Sequence, residues 1–424
     1  MAVEQPREGR HGEIEAILEA KAGGVTETRD DADKYTVVGA ASRGTFADWL
    51  TPIEEHFVCH RNAIPEATRD DWTVSLTGDV AGTLTVAEVE EAFPTVAVAH
   101  TMECAGNGRG QHRPQTGSVQ WGFEAAANAV WTGTPVSSIL HAHGVDEPDD
   151  RWLTAIGGDP SEAGDVFARS IPLSKALDDC IVAYEVNGEP IPREHGFPVR
   201  LIVPGWYGVN NVKWLAELRV MDTMVTEGSL DRPGVHAYWQ QVAYRIHPGG
   251  VEPDENETVD AVDTWDQIEG GVDYPYTFDA TVMSVIGTPD GESPVTLGSG
   301  TAGSAAESPD AVEVRGVAWA GDDAVDRVEV STDGGETWAD AELFGPDYSG
   351  AWRLFRYVWA AEPGRHVLLS RATDELGRRQ PRRISGPDDW RDALDDDAFP
   401  WNEGGYAANA YEPNGVEVEV VEAD

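Results

Sequence analysis

Apolar positions between about residues 45 and 222 fall into short runs of changing period. WTVSLTG from Trp72, TVAVAHT from Thr95, CIVAYEV from Cys180 and VRLIVPG from Val199 are rich in β-branched residues and predict strands. VSSILHAHGV from Val136 and SIPLSKALDD from Ser170 predict short helices, the second with Ser170 as N-cap and Pro172 in its first turn. An α+β domain over residues 45–250 accounts for this mixture. A connector rich in glycine, proline and acids runs from about 223 to 260. Beyond it the texture becomes all-β. TVMSVIG, AVEVRGVAWAG, DRVEVSTDGGETW, WRLFRYVWA and HVLLSRATDELG follow one another at sandwich spacing within residues 251–424. Asp333-Gly334-Gly335 is a hairpin turn signal, and LGSGTAGSAAESPDA from Leu297 reads as a low-complexity surface loop. Residues 1–44 are polar, with one helical pattern (EIEAILEAKA), and read as an arm.

Composition changes this picture in one respect, the charge. The 424 residues carry 76 acidic against 30 basic side chains, a net −46, with only four lysines. A hydrophobic content of 41% and 15 tryptophans rule out a disordered acidic chain. The acids are spread rather than gathered in blocks, which points to a salt-adapted, halophilic surface whose self-repulsion strong salt screens. Such a surface disfavours nucleic acid and anionic membrane as partners. No run of about 18 apolar residues is present to span a membrane, and the N-terminal stretch has no apolar signal core, so the expected location is cytoplasmic. Any cluster of basic residues stands against the trend and needs a reason.

The candidate chemistry centres on TMECAGNGRGQ, Thr101 to Gln111. Cys104 lies just beyond an apolar run, in a turn with Gly106, Gly108 and Gly110, and that many glycines suggest a close backbone approach to something. Cys59, Cys104 and Cys180 are odd in number and far apart, which fits neither a disulfide framework nor a CxxC zinc site. Cys180 reads as a core thiol. Cys59, in HFVCHRN, fits either core or site lining.

Taken in order, HRN, CAGNGR, a W…WTG stretch, SIPL and AYEVNGEPIPREHGFPVRLIVPGWYGVNNVKW resemble the sulfite oxidase family of molybdenum enzymes. GVAWAG, VEVSTDGGETW and RATDELGRRQP resemble that family's second domain. The resemblance covers about residues 50 to 410. It implies an α+β molybdopterin-binding domain followed by an all-β immunoglobulin-like sandwich dimerisation domain, and hence a homodimer. It implies a molybdenum-molybdopterin cofactor whose metal is held by Cys104, a soft thiolate on a metal already bound to sulfur. The family pattern places pterin contacts on Arg61, Asn62, Asp159, His195, Arg200, Asn211, Val212 and Lys213. Arg200 and Lys213 suit its phosphate, one as a planar fork and the other as a point charge. Arg61 and Arg109 correspond to arginines beside the metal, Tyr244 to an active-site tyrosine that can donate a hydrogen bond to substrate, and Trp121 to a pocket-lining tryptophan.

The implied activity is oxidation of sulfite to sulfate, with electrons leaving to an external one-electron acceptor, since the arm is too short for a haem domain. Two departures keep other readings open. Ala63 stands where the family commonly has a histidine, and Glu403 and Gly404 stand where vertebrate-type members place an anion-binding arginine. Nitrate or S-oxide reduction on the same site, or a catalytically silent relative, are the alternatives.

Overall fold

The computed structural model describes residues 17–18, 21, 26–31, 34–60, 62–159, 166–226, 228–230, 239–250, 262–297 and 311–422. Strands form where β-branched runs predict them, and two five-stranded sheets organise the first half. One runs in the order Glu189–Pro190, Ile181–Val186, Ala126–Pro135, Val96–Glu103, with Arg200–Ile202 also paired to Ile181–Val186. The other runs Gly82–Thr85, Thr73–Gly78, Leu215–Met221, Trp152–Gly157, Ala168–Pro172, with Thr73–Gly78 parallel to Leu215–Met221. Short helices pack on them at Val86–Glu91, Val136–Ala142 and Leu173–Asp178. The first opens with a capping box in which Thr85 and Glu88 satisfy each other's backbone amides. Val136, Ile139 and Leu140 share one buried face, as helical spacing requires.

Two expectations need correction. Ser170 is not the cap of the helix after it: it sits in strand Ala168–Pro172, where its hydroxyl lies 2.7 Å from that of Thr154 and accepts the Val225 amide. Pro172 takes the N-cap position instead. The ladder wins because a buried hydroxyl there finds partners on both sides. The expected arm is also not separate. Thr26–Asp31 and Lys34–Gly39 pair as a hairpin that continues onto Val58–His60, and Val38, Ala40 and Ala41 are fully buried. The helical pattern EIEAILEAKA lies mostly outside the described residues, as does the insert from 298 to 310. The connector carries a short helix at Trp239–Val242.

The second half is a sandwich. One sheet runs Met283–Thr288, Ala311–Trp319, Arg353–Ala360, Glu342–Phe344, and the other Val295–Thr296, Val416–Val421, Gly364–Asp374, Val325–Ser331, Ala339–Asp340. Alternate residues meet in a core containing Val314, Val328, Phe355, Leu368 and Val418. Gly334 and Gly335 take φ of +73° and +94° in the predicted turn. No helix among the described residues is long and apolar enough to cross a membrane.

Buried hydrogen bonds join the halves around the site. The Trp49 and Trp352 indoles each donate to the other residue's carbonyl, at 3.2 and 2.7 Å. Trp319 of the sandwich donates to Glu103 at 2.9 Å, one residue before Cys104, while Asn107 donates to the same carboxyl at 3.0 Å. Burial nevertheless lifts Glu103 to about 7. Lysine is rare here, and where described it is engaged. Lys21 donates to the carbonyls of Glu54 and His56. Lys175 bridges Asp179 at 2.8 Å and Asp322 of the second half at 2.7 Å. Lys175→Met is expected to cost about 1–2 kcal/mol by thermal unfolding of the full chain, reduced from the fully buried case because both carboxylates keep solvent contact. An unchanged melting curve would show that this bridge does not hold the halves together.

Candidate cofactor and active site

The strand Val96–Glu103 ends where its partner Ala126–Pro135 begins, and Cys104 starts the turn beyond. Main chain fixes that turn. The Cys104 amide donates to Ala125 at 2.8 Å, the Asn107 amide donates to the Cys104 carbonyl at 2.8 Å, and Ala407 of the second half donates to Ala105 at 2.8 Å. The glycines have a different role from the expected approach to a ligand. A Cβ on Gly106 would lie 2.5 Å from the Arg109 guanidinium, one on Gly108 2.9 Å from the Ala408 carbonyl, and one on Gly110 3.0 Å from that of Trp121. They make room for protein, chiefly for Arg109.

Cys104 faces a cavity of about 430 Å³. Its walls bring together, from distant parts of the chain, Asn62, Asp159, His195, Arg200, Asn211, Lys213, Arg109, Tyr244 and Trp121. Arg61 lies outside the described residues. Val212 is not on the wall: it is fully buried in the apolar core, with its methyl against Gly157. Asn211 lines the cavity, but its amide is committed. Its oxygen accepts Val203 at 2.7 Å and its nitrogen donates to Trp206 and Tyr207 at 3.2 and 3.1 Å, so it shapes the loop and offers a ligand no side-chain donor. Asn62 donates to Asp159 at 2.6 Å, while the other Asp159 oxygen has no partner among the described residues. Burial raises that carboxyl above its usual range.

One part of the wall is a cluster of buried bases. Among the described residues Lys213 Nζ hydrogen-bonds two carbonyls, Glu194 at 2.8 Å and Cys59 at 3.3 Å, and lies 5.5 Å from the Trp214 ring centre. Burial, and Arg200 after it, bring its amine down to about 7. Arg200 donates to the His195 and Asn211 carbonyls at 2.7 and 3.0 Å, has its Nε unpartnered among the described residues, and is brought to about 9 by burial. His195 and His56 stand ring to ring at 5.4 Å, each with a buried Nε2 that has no hydrogen-bond partner among the described residues. Burial holds both imidazoles well below their normal titration range, and it brings His60 to about 3.

Cys59, with two readings open from sequence, lines the cavity, and its thiol is hydrogen-bonded to that of Cys104. That bond, with burial behind it, raises the Cys104 thiol well above the usual range, and Arg109 opposes the rise. His56, His60 and Tyr406 also line the cavity, though sequence reasoning did not single them out. The two histidines lie in the HFVCHRN stretch with Cys59, so a signal existed. Tyr406 has none, coming from the far end of the chain.

These groups fit a polar, anionic ligand. Arg200 and His195 carry unmade donor or acceptor positions in a buried wall, and no carboxylate is paired with Arg200 or Lys213 among the described residues. A thiol beside them suits a soft metal, which would deprotonate it outright. Fold and site together define an enzyme domain that holds a metal-bearing anionic cofactor, with a sandwich domain behind it.

Comparison gives the particular family. Residues 61–228 match the oxidoreductase molybdopterin binding domain, and 275–385 match the Mo-co oxidoreductase dimerisation domain. The chain is 32% identical over 358 residues to the NADH nitrate reductase of Solanum lycopersicum, covering 79% of this chain and 36% of that one. With the mitochondrial sulfite oxidase of Homo sapiens it is 30% identical over 355 residues, 80% of this chain and 58% of that one. It therefore spans between about a third and three fifths of these relatives. Its fold is similar to that of the sulfane dehydrogenase SoxCD from Paracoccus pantotrophus, with a TM-score of 0.70 at 24% identity, covering 100% of this chain and 96% of that one. The chain belongs to the sulfite oxidase family of molybdopterin oxidoreductases, and its cofactor is that family's molybdenum-molybdopterin.

Proposed function

We propose that this chain oxidises sulfite to sulfate. Sulfite gains an oxygen atom derived from water, two protons are released, and two electrons pass singly to a separate acceptor. The observation that carries this reading is a cavity walled by Cys104, Arg109, Lys213 and Arg200 inside a body of net charge −46. A bound molybdenum centre supplies the oxygen-atom transfer and stores the electrons. Cys104 anchors it, while Arg200, Lys213 and His195 meet the phosphate and Asn62 with Asp159 meets the pterin. Arg61 and Arg109 neutralise the substrate anion, and the Tyr244 phenol donates a hydrogen bond to it. The acidic exterior suits a saline medium, and two copies of the chain associate through the dimerisation domain.

A second reading, reduction of nitrate or an S-oxide, is favoured by one feature. The Tyr406 ring fills the space a side chain on residue 404 would take, so position 404 contributes no cationic group. Enzyme made in a molybdenum-competent host is assayed in strong salt, for sulfite oxidation with an artificial one-electron acceptor and for nitrate and sulfoxide reduction with an artificial donor. Sulfite-dependent reduction of the acceptor is expected. Turnover confined to nitrate or sulfoxide would replace the first reading with the second.

A further inference from the structure

Tyr406 belongs to WNEGGYAANAY, Trp401 to Tyr411, yet it lines the cavity of Cys104. Its place is built. The buried Asn402 amide closes the loop, accepting the Tyr406 N–H at 2.8 Å and donating to its carbonyl at 3.0 Å. Two glycines form a mould beneath it. A Cβ on Gly404 would lie 2.2 Å from the Tyr406 ring; Gly405 has φ +58°, and its Cβ would lie 2.6 Å from Arg109 Cγ. Into this mould the Arg109 guanidinium fits. Its Nε donates to the Gly404 carbonyl at 2.8 Å, one terminal nitrogen donates to Val119 at 3.0 Å, and its carbon lies 5.0 Å from the Tyr406 ring centre. The Tyr406 ring also meets that of Tyr244, with ring centres 5.4 Å apart. Among the described residues no carboxylate pairs with Arg109, so its charge is held in place without being neutralised.

We propose that Tyr406 is a positioning residue: its ring fixes the Arg109 guanidinium and the Tyr244 ring, and through them sets the pocket's affinity for a small oxyanion. The inference rests on the proposed function for the role of Arg109 and Tyr244. A ring that holds a guanidinium by its face does so without its hydroxyl, so phenylalanine preserves the effect and an aliphatic residue of similar bulk loses it.

The test compares wild type, Tyr406→Phe and Tyr406→Leu as loaded full-chain enzymes. The KM for sulfite and the Kd of sulfate, read by intrinsic fluorescence, are measured in the same salt. Tyr406→Leu is expected to raise both about 10-fold with kcat held within about 3-fold, while Tyr406→Phe stays near wild type. The proposal is overturned if Leu and Phe behave alike, or if Leu lowers only the melting temperature, or if kcat falls with KM and Kd unchanged. Should the wild type turn over nitrate and not sulfite, the functional reading fails, and the same split is read with nitrate as the variable anion. A Leu-specific rise there supports the positioning role, and its absence overturns it.

Discussion

Cys104→Ser is expected to lower sulfite turnover by more than about 100-fold, because even outer partners of a metal ligand are worth about 10–100-fold and the proposed function makes this residue the ligand itself. The turn that carries it does not depend on the thiol. Backbone bonds to Ala125 and from Asn107 and Ala407 hold that turn, and serine has nearly the same shape. The cofactor-free variant is therefore expected to melt within about 1 kcal/mol of wild type, as substitutions that remove no packing do. Turnover, molybdenum content and melting are measured on the same preparations. A variant that keeps activity removes Cys104 from the chemistry, and one that loses the fold shows the thiol to be a packing group.

Lys213→Met is expected to separate binding from folding. The amine is buried against two carbonyls and brought by burial to about 7, from the usual lysine value of 10.5. The folded state therefore binds its proton less readily than the unfolded state. Its penalty on stability is complete below pH 7, shrinks as pH rises, and is gone by about pH 10.5. Methionine removes that penalty, so the cofactor-free variant is expected to melt no lower than wild type at pH 6 and to lose any advantage near pH 10. Cofactor retention moves the other way. A charged hydrogen bond to a phosphate is worth roughly 10- to 100-fold, and loaded Lys213→Met is expected to release pterin that much more readily on dialysis. Equal retention with a lower melting point would make Lys213 a structural residue.

Much of this site was legible because it is written locally. Cys104 stands outside the apolar run that precedes it, and a lysine at 213 in a chain with four lysines calls for an anion or a partner. What was not legible depends on which way a side chain turns in the folded protein. Asn211 and Val212 sit in a matched motif, yet one has a saturated amide and the other faces apolar core. Ser170 has the composition of a cap and the position of a strand, because Thr154 is across from it. The glycines after Cys104 announce close approach without saying to what, and the answer is Arg109 and two carbonyls. Tyr406 reaches the cavity only because the second half packs on the first, through Trp319 and Trp352. No local pattern records such a contact.

The paired sheets and the sandwich followed from β-branched periodicity, which is why the fold class was readable while the burial of residues 38–41 was not. Those residues pack through a hairpin that depends on the strand Val58–His60.

A bond from the Cys104 sulfur to molybdenum is read by X-ray absorption at the molybdenum edge, on loaded wild type and Cys104→Ser. Wild type is expected to hold about one metal per chain on its single cysteine ligand, and the variant to show one sulfur neighbour fewer. The same sulfur count in both, or no molybdenum in the wild type from a competent host, would contradict it.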